Sequence, residues 1–339
     1  MNKKAIVTGI AGQDGAFLAN LLLSKGYEVI GLDRRRADQS YPHLLDLNIN
    51  DKIRYHYFDL LEDNNINNLL NTEKPDEFYN LAAQSFVQAS FELPLLTTNI
   101  NSMGVLRILD AIKNYSPHTK FYQASTSEMF GKVQEIPQTE NTPFYPRSPY
   151  GVGKLFAHWI VKNYRESYGL FLCSGILFNH ESEYRGKEFV TQKIVENAVI
   201  ISEDLNAPPL QIGNLDACRD WGYAKDYVEG MWMMLQNDAA DDYVLATGQT
   251  TSVRDFVEMS FYHVGIGIRW EGDNDNEIGY DVKTDRKIVV VNKDFYRPAE
   301  VDLLLGDYTK AKNDMGWEPK TQLKELVDLM ITHAKKRLL

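Results

Sequence analysis

The segment that most constrains this chain is Thr8-Gly9-Ile10-Ala11-Gly12-Gln13-Asp14-Gly15, with glycines at GxxGxxG spacing between a strand-like Ala5-Ile6-Val7 and a helix-like run. Glycines in such a loop let the backbone approach a pyrophosphate at the N-terminus of the following helix, so a dinucleotide cradle is predicted there. Phe17, Leu18, Leu21 and Leu22 recur at helical spacing until Gly26, and residues 27–32 read as a second strand. The alternation continues through a strand at 77–81, a helix at 106–113, a strand at 120–124 and a helix from Tyr150 to about Glu166. Strands alternating with helices predict an α/β fold built on a doubly wound, parallel, Rossmann-type sheet.

After about residue 180 the pattern loosens. A strand-like 242–246 precedes an aromatic-rich helix candidate at 253–264, and Leu323, Leu326, Val327, Met330 and Ile331 mark a last amphipathic helix. With no linker or repeat in view, the expectation is a Rossmann domain at 1–180, completed by a return strand near 242–247, and a smaller, interleaved C-terminal substrate-binding lobe at 181–339. A chain of 339 residues, 44% of them hydrophobic, is long enough for both cores.

A formal charge of -11, spread along the sequence, argues against nucleic acid as a partner. Cys173 and Cys218 form no CxxC and have no histidine at ligand spacing, so neither a disulfide framework nor a metal site is expected, and both read as small buried hydrophobes. Met1-Asn2-Lys3-Lys4 leaves no room for a signal peptide, and no apolar run approaches the ~20 residues of a membrane span. A cytoplasmic protein is expected.

Asp33 follows the second strand at about the distance where a carboxylate usually holds a ribose 2'-hydroxyl, which favours NAD. Arg34, Arg35 and Arg36 come next, and their guanidinium groups suit a 2'-phosphate, which favours NADP. The residues alone leave both cofactors open. Asp59-Leu60, after the next strand, would flank the adenine.

Chemistry is concentrated between Ser125 and Lys154. Ser125-Thr126-Ser127-Glu128 ends a predicted strand, and Tyr150 and Lys154 share one face of a predicted helix. An ammonium beside a phenol favours the phenolate and draws its pKa down toward the working range. Hydride transfer needs only a hydroxyl, Tyr150 and Lys154, whereas a carboxylate alongside them is suited to removing a carbon-bound proton, so Glu128 separates a dehydratase from an epimerase or reductase. The Asp273-Asn274-Asp275-Asn276-Glu277 run has Ile278 where a calcium loop needs glycine, and reads as a surface turn. His56, His118 and His158 have no partner assignable from sequence, and Met231 to Leu235 reads as helix core.

At these residues the chain resembles the extended short-chain dehydrogenase/reductases and, within them, the GDP-mannose 4,6-dehydratases. The resemblance runs through TGIAGQDG, NLAAQSFV, FYQASTSEMFGKVQEIPQTENTPFYPRSPYG, GILFNHES, FVTQKI, GNLDACRDWGYAKDYVEGMW and YRPAEVD, nearly the whole chain. It implies Thr126, Glu128 and Tyr150 as catalytic, with Lys154 binding the nicotinamide ribose and assisting Tyr150. It implies NADP on Gly9, Gly12, Gln13, Asp14, Gly15, Arg34, Arg35, Asp59, Leu60, Leu81, Ala83, Ser85, His180 and Arg185, and a GDP-sugar on Ser85, Glu128, Asn179, Val190, Lys193, Arg219, Arg297 and Glu300. A homodimer or homotetramer is implied as well. Five positions depart from the pattern: Asp33, where the family generally lacks an acid, Phe86 in place of histidine, Glu183-Tyr184 in place of Pro-Arg, and Gln192 in place of arginine; the stretch after Arg36 is also shorter than usual. The implied reaction converts GDP-mannose to a GDP-4-keto-6-deoxy sugar and water. Related GDP-sugars, a 4-epimerase or reductase, and a non-catalytic NADP sensor are the alternatives.

Overall fold

The computed structural model describes residues 2–34, 41–296 and 299–339, so Arg35, Arg36 and Arg297 lie outside the described residues. Six strands, β1 (Lys4–Thr8), β2 (Glu28–Asp33), β3 (Arg54–Tyr57), β4 (Glu77–Asn80), β5 (Lys120–Thr126) and β6 (Leu172–Leu177), join the strand Asp242–Leu245 in one seven-stranded sheet. Its order is Asp242–Leu245, β6, β5, β4, β1, β2, β3, and every pairing is parallel. β4 and β6 are buried along their whole length, as expected of parallel strands covered on both faces. Helices Gln13–Ser24 and Ala224–Gln236 cover one face, and Asp63–Glu73, Gly104–Tyr115 and Pro149–Tyr168 cover the other. The chain leaves β1 toward β2 and β3, then returns to place β4 on the other flank. Connections diverge there, and a crevice opens at the carboxyl ends of β1 and β4.

The remaining strands build a second lobe. Ile268–Glu271, Ile278–Asp281 and Lys287–Val291 pair antiparallel in sequence, and Leu210–Ile212 adds parallel to the last. Helices Val190–Glu203, Val253–His263 and Leu323–Leu338 pack with one another in this lobe. Two short pairings tie it to the crevice: Asn179–Glu181 with Trp221–Tyr223, and Cys218–Arg219 with Thr251–Ser252. The chain crosses repeatedly between the two regions, because Asp242–Leu245 is an edge of the first sheet and Lys310 returns to donate to the Asp242 carbonyl at 2.9 Å.

One detail differs from the sequence reading and one completes it. Cys173 is fully buried, and burial pushes its thiol up to about 12, whereas Cys218 is only half-buried at a strand end. The histidines do have partners: His158 is buried with its ring 3.5 Å from Ser125 Oγ, His56 faces Glu73 at 3.5 Å, and His118 reaches the Lys74 carbonyl at 3.3 Å. Among the described residues no helix is long and apolar enough to cross a membrane, and no cluster of three metal-ligand side chains occurs.

Candidate active site

β5 delivers Thr126 to the crevice, and the chain turns at once into the single 3-10 turn Ser127–Met129, with Thr126 Oγ1 accepting from Glu128 N at 3.3 Å. The facing helix Pro149–Tyr168 begins with proline in its first turn and with Ser148 Oγ accepting from Gly151 N at 3.0 Å. Gly151 must be glycine, because a Cβ there would lie 2.8 Å from the Glu128 carbonyl oxygen. That close approach places Tyr150 beside the turn. Thr126, Glu128 and Tyr150, each less than a tenth exposed, line one cavity of about 590 Å³.

Lys154 lies behind this wall, buried, with Nζ donating to the Ala124 carbonyl at 2.8 Å. Burial lowers its pKa to about 8, against the opposing pull of Asp14. Burial also pushes the Tyr150 phenol up to about 12, opposed by its bond with the Thr126 hydroxyl and reinforced by the Glu128 charge. The expected lowering of the phenol by lysine is therefore absent in this geometry. Nζ is held by β5, 5.9 Å from the phenol ring centre, and loss of water around Tyr150 outweighs it.

The glycine loop fits a dinucleotide. Gly9 has φ +67°, and a Cβ on it would meet Ala82 N at 3.1 Å; on Gly15 a Cβ would lie 2.3 Å from the Gly9 carbonyl oxygen. Helix Gln13–Ser24 starts at Gly12 with no side-chain cap on its N-terminus, which leaves a positive helix end turned to the crevice. The loop is anchored at both sides. Thr8 Oγ1 accepts from Leu81 N and Ala82 N at 3.0 and 2.9 Å. Gln13 donates to the His180 carbonyl at 3.0 Å and accepts from Ser182 Oγ at 2.7 Å. Asp14 pairs with His180 Nε2 at 2.9 Å; burial would lower the imidazole pKa, but the Asp14 charge and the bonds to Asp14 and the Phe178 carbonyl outweigh it and raise the pKa. Asp33 accepts from Arg34 N at 2.9 Å at the end of β2, with Arg34 exposed beside it. Asp59 Oδ1 accepts from Leu61 N at 3.0 Å, and Leu60 is buried against Gly104.

The second lobe brings Val190, Lys193, Arg219 and Glu300 to the far wall of the cavity, where Ser85, after β4, and Asn179, after β6, join them. Lys193 Nζ sits 3.4 Å from the Phe295 ring centre, and burial lowers its pKa. Arg219 donates to its neighbour's carbonyl, Cys218 O, at 3.0 Å and meets Glu300 Oε1 at 3.4 Å. Arg185, expected on the cofactor side, lines this same cavity: its Nε is 2.9 Å from Glu181 Oε2, and its guanidinium lies 3.5 Å over the Phe189 ring. Glu181, buried and bonded by Thr191 Oγ1 at 2.5 Å, was not singled out from sequence, nor were Phe189 and Phe295. Nothing in their spacing marks them. The strand pairing of Asn179–Glu181, the start of helix Val190–Glu203 at Phe189 and the docking of the 293–295 turn bring them to the cavity.

A family model described as GDP-mannose 4,6 dehydratase matches residues 6–330. The GDP-mannose 4,6 dehydratase of Homo sapiens is 51% identical over 99% of this chain and 92% of its own length, and that of Sinorhizobium fredii (strain HH103) is 50% identical over 97% and 95%. Among solved structures, UDP-glucose 4-epimerase of Thermotoga maritima superposes with a TM-score of 0.83 at 23% identity, over 99% of this chain and 100% of that one. The dTDP-glucose 4,6-dehydratase of Bacillus anthracis, solved with NAD, gives a TM-score of 0.80 at 21% identity, over 98% and 97%.

Proposed function

Because the chain belongs to the GDP-mannose 4,6-dehydratase family, we propose that the cavity between the two lobes performs that family's reaction, eliminating water from GDP-mannose to leave a GDP-4-keto-6-deoxymannose. The chain is a hydro-lyase of the short-chain dehydrogenase/reductase type, and the observation that carries the reading is the meeting of Thr126, Glu128 and Tyr150 in one cavity. The glycine loop and Lys154 hold a nicotinamide cofactor, which when bound supplies the hydride acceptor for carbon 4 and the hydride donor for carbon 6.

Tyr150 takes the proton of the 4-hydroxyl as that carbon is oxidised. Positive charge entering the cavity lowers the phenol from its burial-raised value, and Thr126 stabilises the phenolate by donating to it. The 4-ketone acidifies the proton on carbon 5. Glu128 removes that proton and returns it to the departing 6-hydroxyl, so water leaves with no net change at the carboxylate. The proton held by Tyr150 then returns to carbon 5 as carbon 6 is reduced, which balances the cycle. Arg219 and Lys193 on the far wall neutralise the diphosphate, and Glu300 orients Arg219.

Of the two cofactors, NADP is the proposal, supported by exposed Arg34 beside Asp33, whose carboxylate already accepts from the Arg34 backbone. One assay tests both points. Purified protein incubated with GDP-mannose and no added cofactor should yield a product lighter by one water, and acid denaturation should release NADP; interconversion at carbon 4 without water loss, or release of NAD alone, would contradict the respective part.

The same helix that carries Tyr150 and Lys154 inward turns Val152, Phe156 and Trp159 outward, 54%, 40% and 51% exposed. Leu95 and Met103 flank the seam where Ser102 Oγ donates to the Gly153 carbonyl at 3.0 Å, and they are 86% and 39% exposed. This apolar face suits a second copy of the chain, helix pair against helix pair. A dimer is expected by light scattering, with Phe156→Glu/Trp159→Glu shifting it to monomer; a monomeric native protein would end this proposal.

A further inference from the structure

Between two cavity-lining residues, Arg219 and Trp221, lies a carboxylate that the reaction above does not use. Asp220 is fully buried and accepts from four donors: Thr247 N and Thr247 Oγ1 reach Oδ1 at 2.8 and 2.6 Å, and Gly248 N and Gly306 N reach Oδ2 at 3.0 and 3.3 Å. The donors come from different parts of the chain. Thr247 and Gly248 follow the edge strand Asp242–Leu245 of the first sheet, and Gly306 ends the segment that carries Glu300. The same segment is stitched to the strand of Arg219, because Cys218 N donates to the Asp302 carbonyl at 2.9 Å and Leu304 N to the Cys218 carbonyl at 3.2 Å. Downstream of Gly248, Thr251 pairs with Arg219 and Ser252 with Cys218.

Three segments thus meet on one anion, and Arg219 stands next to it in sequence. Each donor fills one of the carboxylate's four lone-pair directions, so the group has no capacity left for a ligand and none for a positive partner. Burial raises its pKa to about 6 while the four donors pull it down. A buried carboxylate without a counter-ion is costly unless hydrogen bonds satisfy it, and here donors from separate segments do so.

We propose that Asp220 is a positioning residue for the nucleotide wall: by gathering the 247–248 loop and the 304–306 segment onto the Arg219 strand, it aims the Arg219 guanidinium, with Glu300 beside it, at the diphosphate of the substrate. The proposal rests on the reading of Arg219 as a diphosphate ligand. It acts on affinity and not on the chemistry, because Thr126, Glu128, Tyr150 and Lys154 hang on β5 and its facing helix, whose anchoring bonds do not include Asp220.

The test measures GDP binding to the cofactor-loaded enzyme by calorimetry, together with KM and kcat for GDP-mannose. In Asp220→Asn, one oxygen becomes an amide that faces N–H donors; the GDP Kd and the KM should rise about 10-fold, with kcat within about 3-fold and cofactor content unchanged. Thr247→Val removes a single donor, and the same constants should rise about 3-fold. Wild-type GDP affinity in a folded Asp220→Asn would overturn the proposal. Should that variant fail to fold, wild-type affinity in Thr247→Val would overturn it instead. Arg219→Ala separates the two readings: unchanged GDP affinity there refutes the role of Arg219 itself, whereas weakened binding there with unchanged binding in Asp220→Asn refutes only the role of Asp220.

Discussion

The two walls of the cavity, the catalytic wall proposed to act on the sugar and the nucleotide wall proposed to hold the diphosphate, are held by different means. The catalytic wall comes from one strand end, one 3-10 turn and the first turns of one helix, fixed by backbone hydrogen bonds and by the contact of Gly151 with the Glu128 carbonyl. The nucleotide wall gathers Lys193, Arg219, Phe295 and Glu300 from separate segments, fixed by side-chain contacts such as Arg219 with Glu300 and Lys193 with Phe295. A wall built on sheet backbone holds reacting groups in register at little cost from any one side chain. A wall gathered from distant segments tunes affinity in small steps. Substitutions in the first should therefore appear in kcat, and substitutions in the second in KM.

The largest expected effect follows from Glu128. Replacing it with glutamine keeps its size but removes the base proposed for carbon 5 and the acid proposed for the 6-hydroxyl. General acid and base catalysis of this kind contributes roughly 10²–10⁴ in rate, so kcat for water loss in Glu128→Gln should fall about 10³-fold while the GDP Kd stays within about 2-fold of wild type. A drop in GDP affinity matching the drop in kcat would show that the walls are not separable, and unimpaired turnover would remove Glu128 from the mechanism.

This division also explains what sequence could reveal. Tyr150 and Lys154 are legible because four residues along a helix means one face, and the glycine loop because Gly9 and Gly15 stand where backbone approaches backbone. The parallel sheet is legible because its strands alternate with helices along the chain. Phe295 and Asp220 carry no such mark, since their partners Lys193 and Thr247 are set by chain crossings, and Glu181 and Phe189, though each only four residues from Arg185, lie outside any regular helix, so their spacing says nothing of a shared face. Spacing also says nothing of how much water is lost, so the phenol of Tyr150 rises where neighbouring charge alone predicted a fall.

Stability gives a smaller but sharper contrast between the walls. Lys154 is fully buried, and its pKa of about 8 lies below the ordinary 10.5, so the folded protein favours the neutral amine. Below pH 8 both folded and unfolded chains bind the proton, and the folded state bears the cost of the buried charge, about 3 kcal/mol from the shift. Between about pH 8 and 10.5 the unfolded chain still binds the proton while the folded chain has lost it, so this group adds stability as pH rises through that window. Lys154→Met removes the charge and also the bond to the Ala124 carbonyl, a loss of about 1 kcal/mol. The cofactor-free variant should consequently be more stable than wild type by roughly 1–2 kcal/mol in urea unfolding at pH 7 and no more stable at pH 10, even as turnover collapses. Lys193, on the other wall, keeps part of its hydration and an aromatic ring beneath its ammonium, so Lys193→Met should shift stability far less at either pH. A Lys154→Met protein that is less stable than wild type at pH 7 would mean that the ammonium is compensated in the fold, and that the catalytic wall is not held against the cost of burying its own charge.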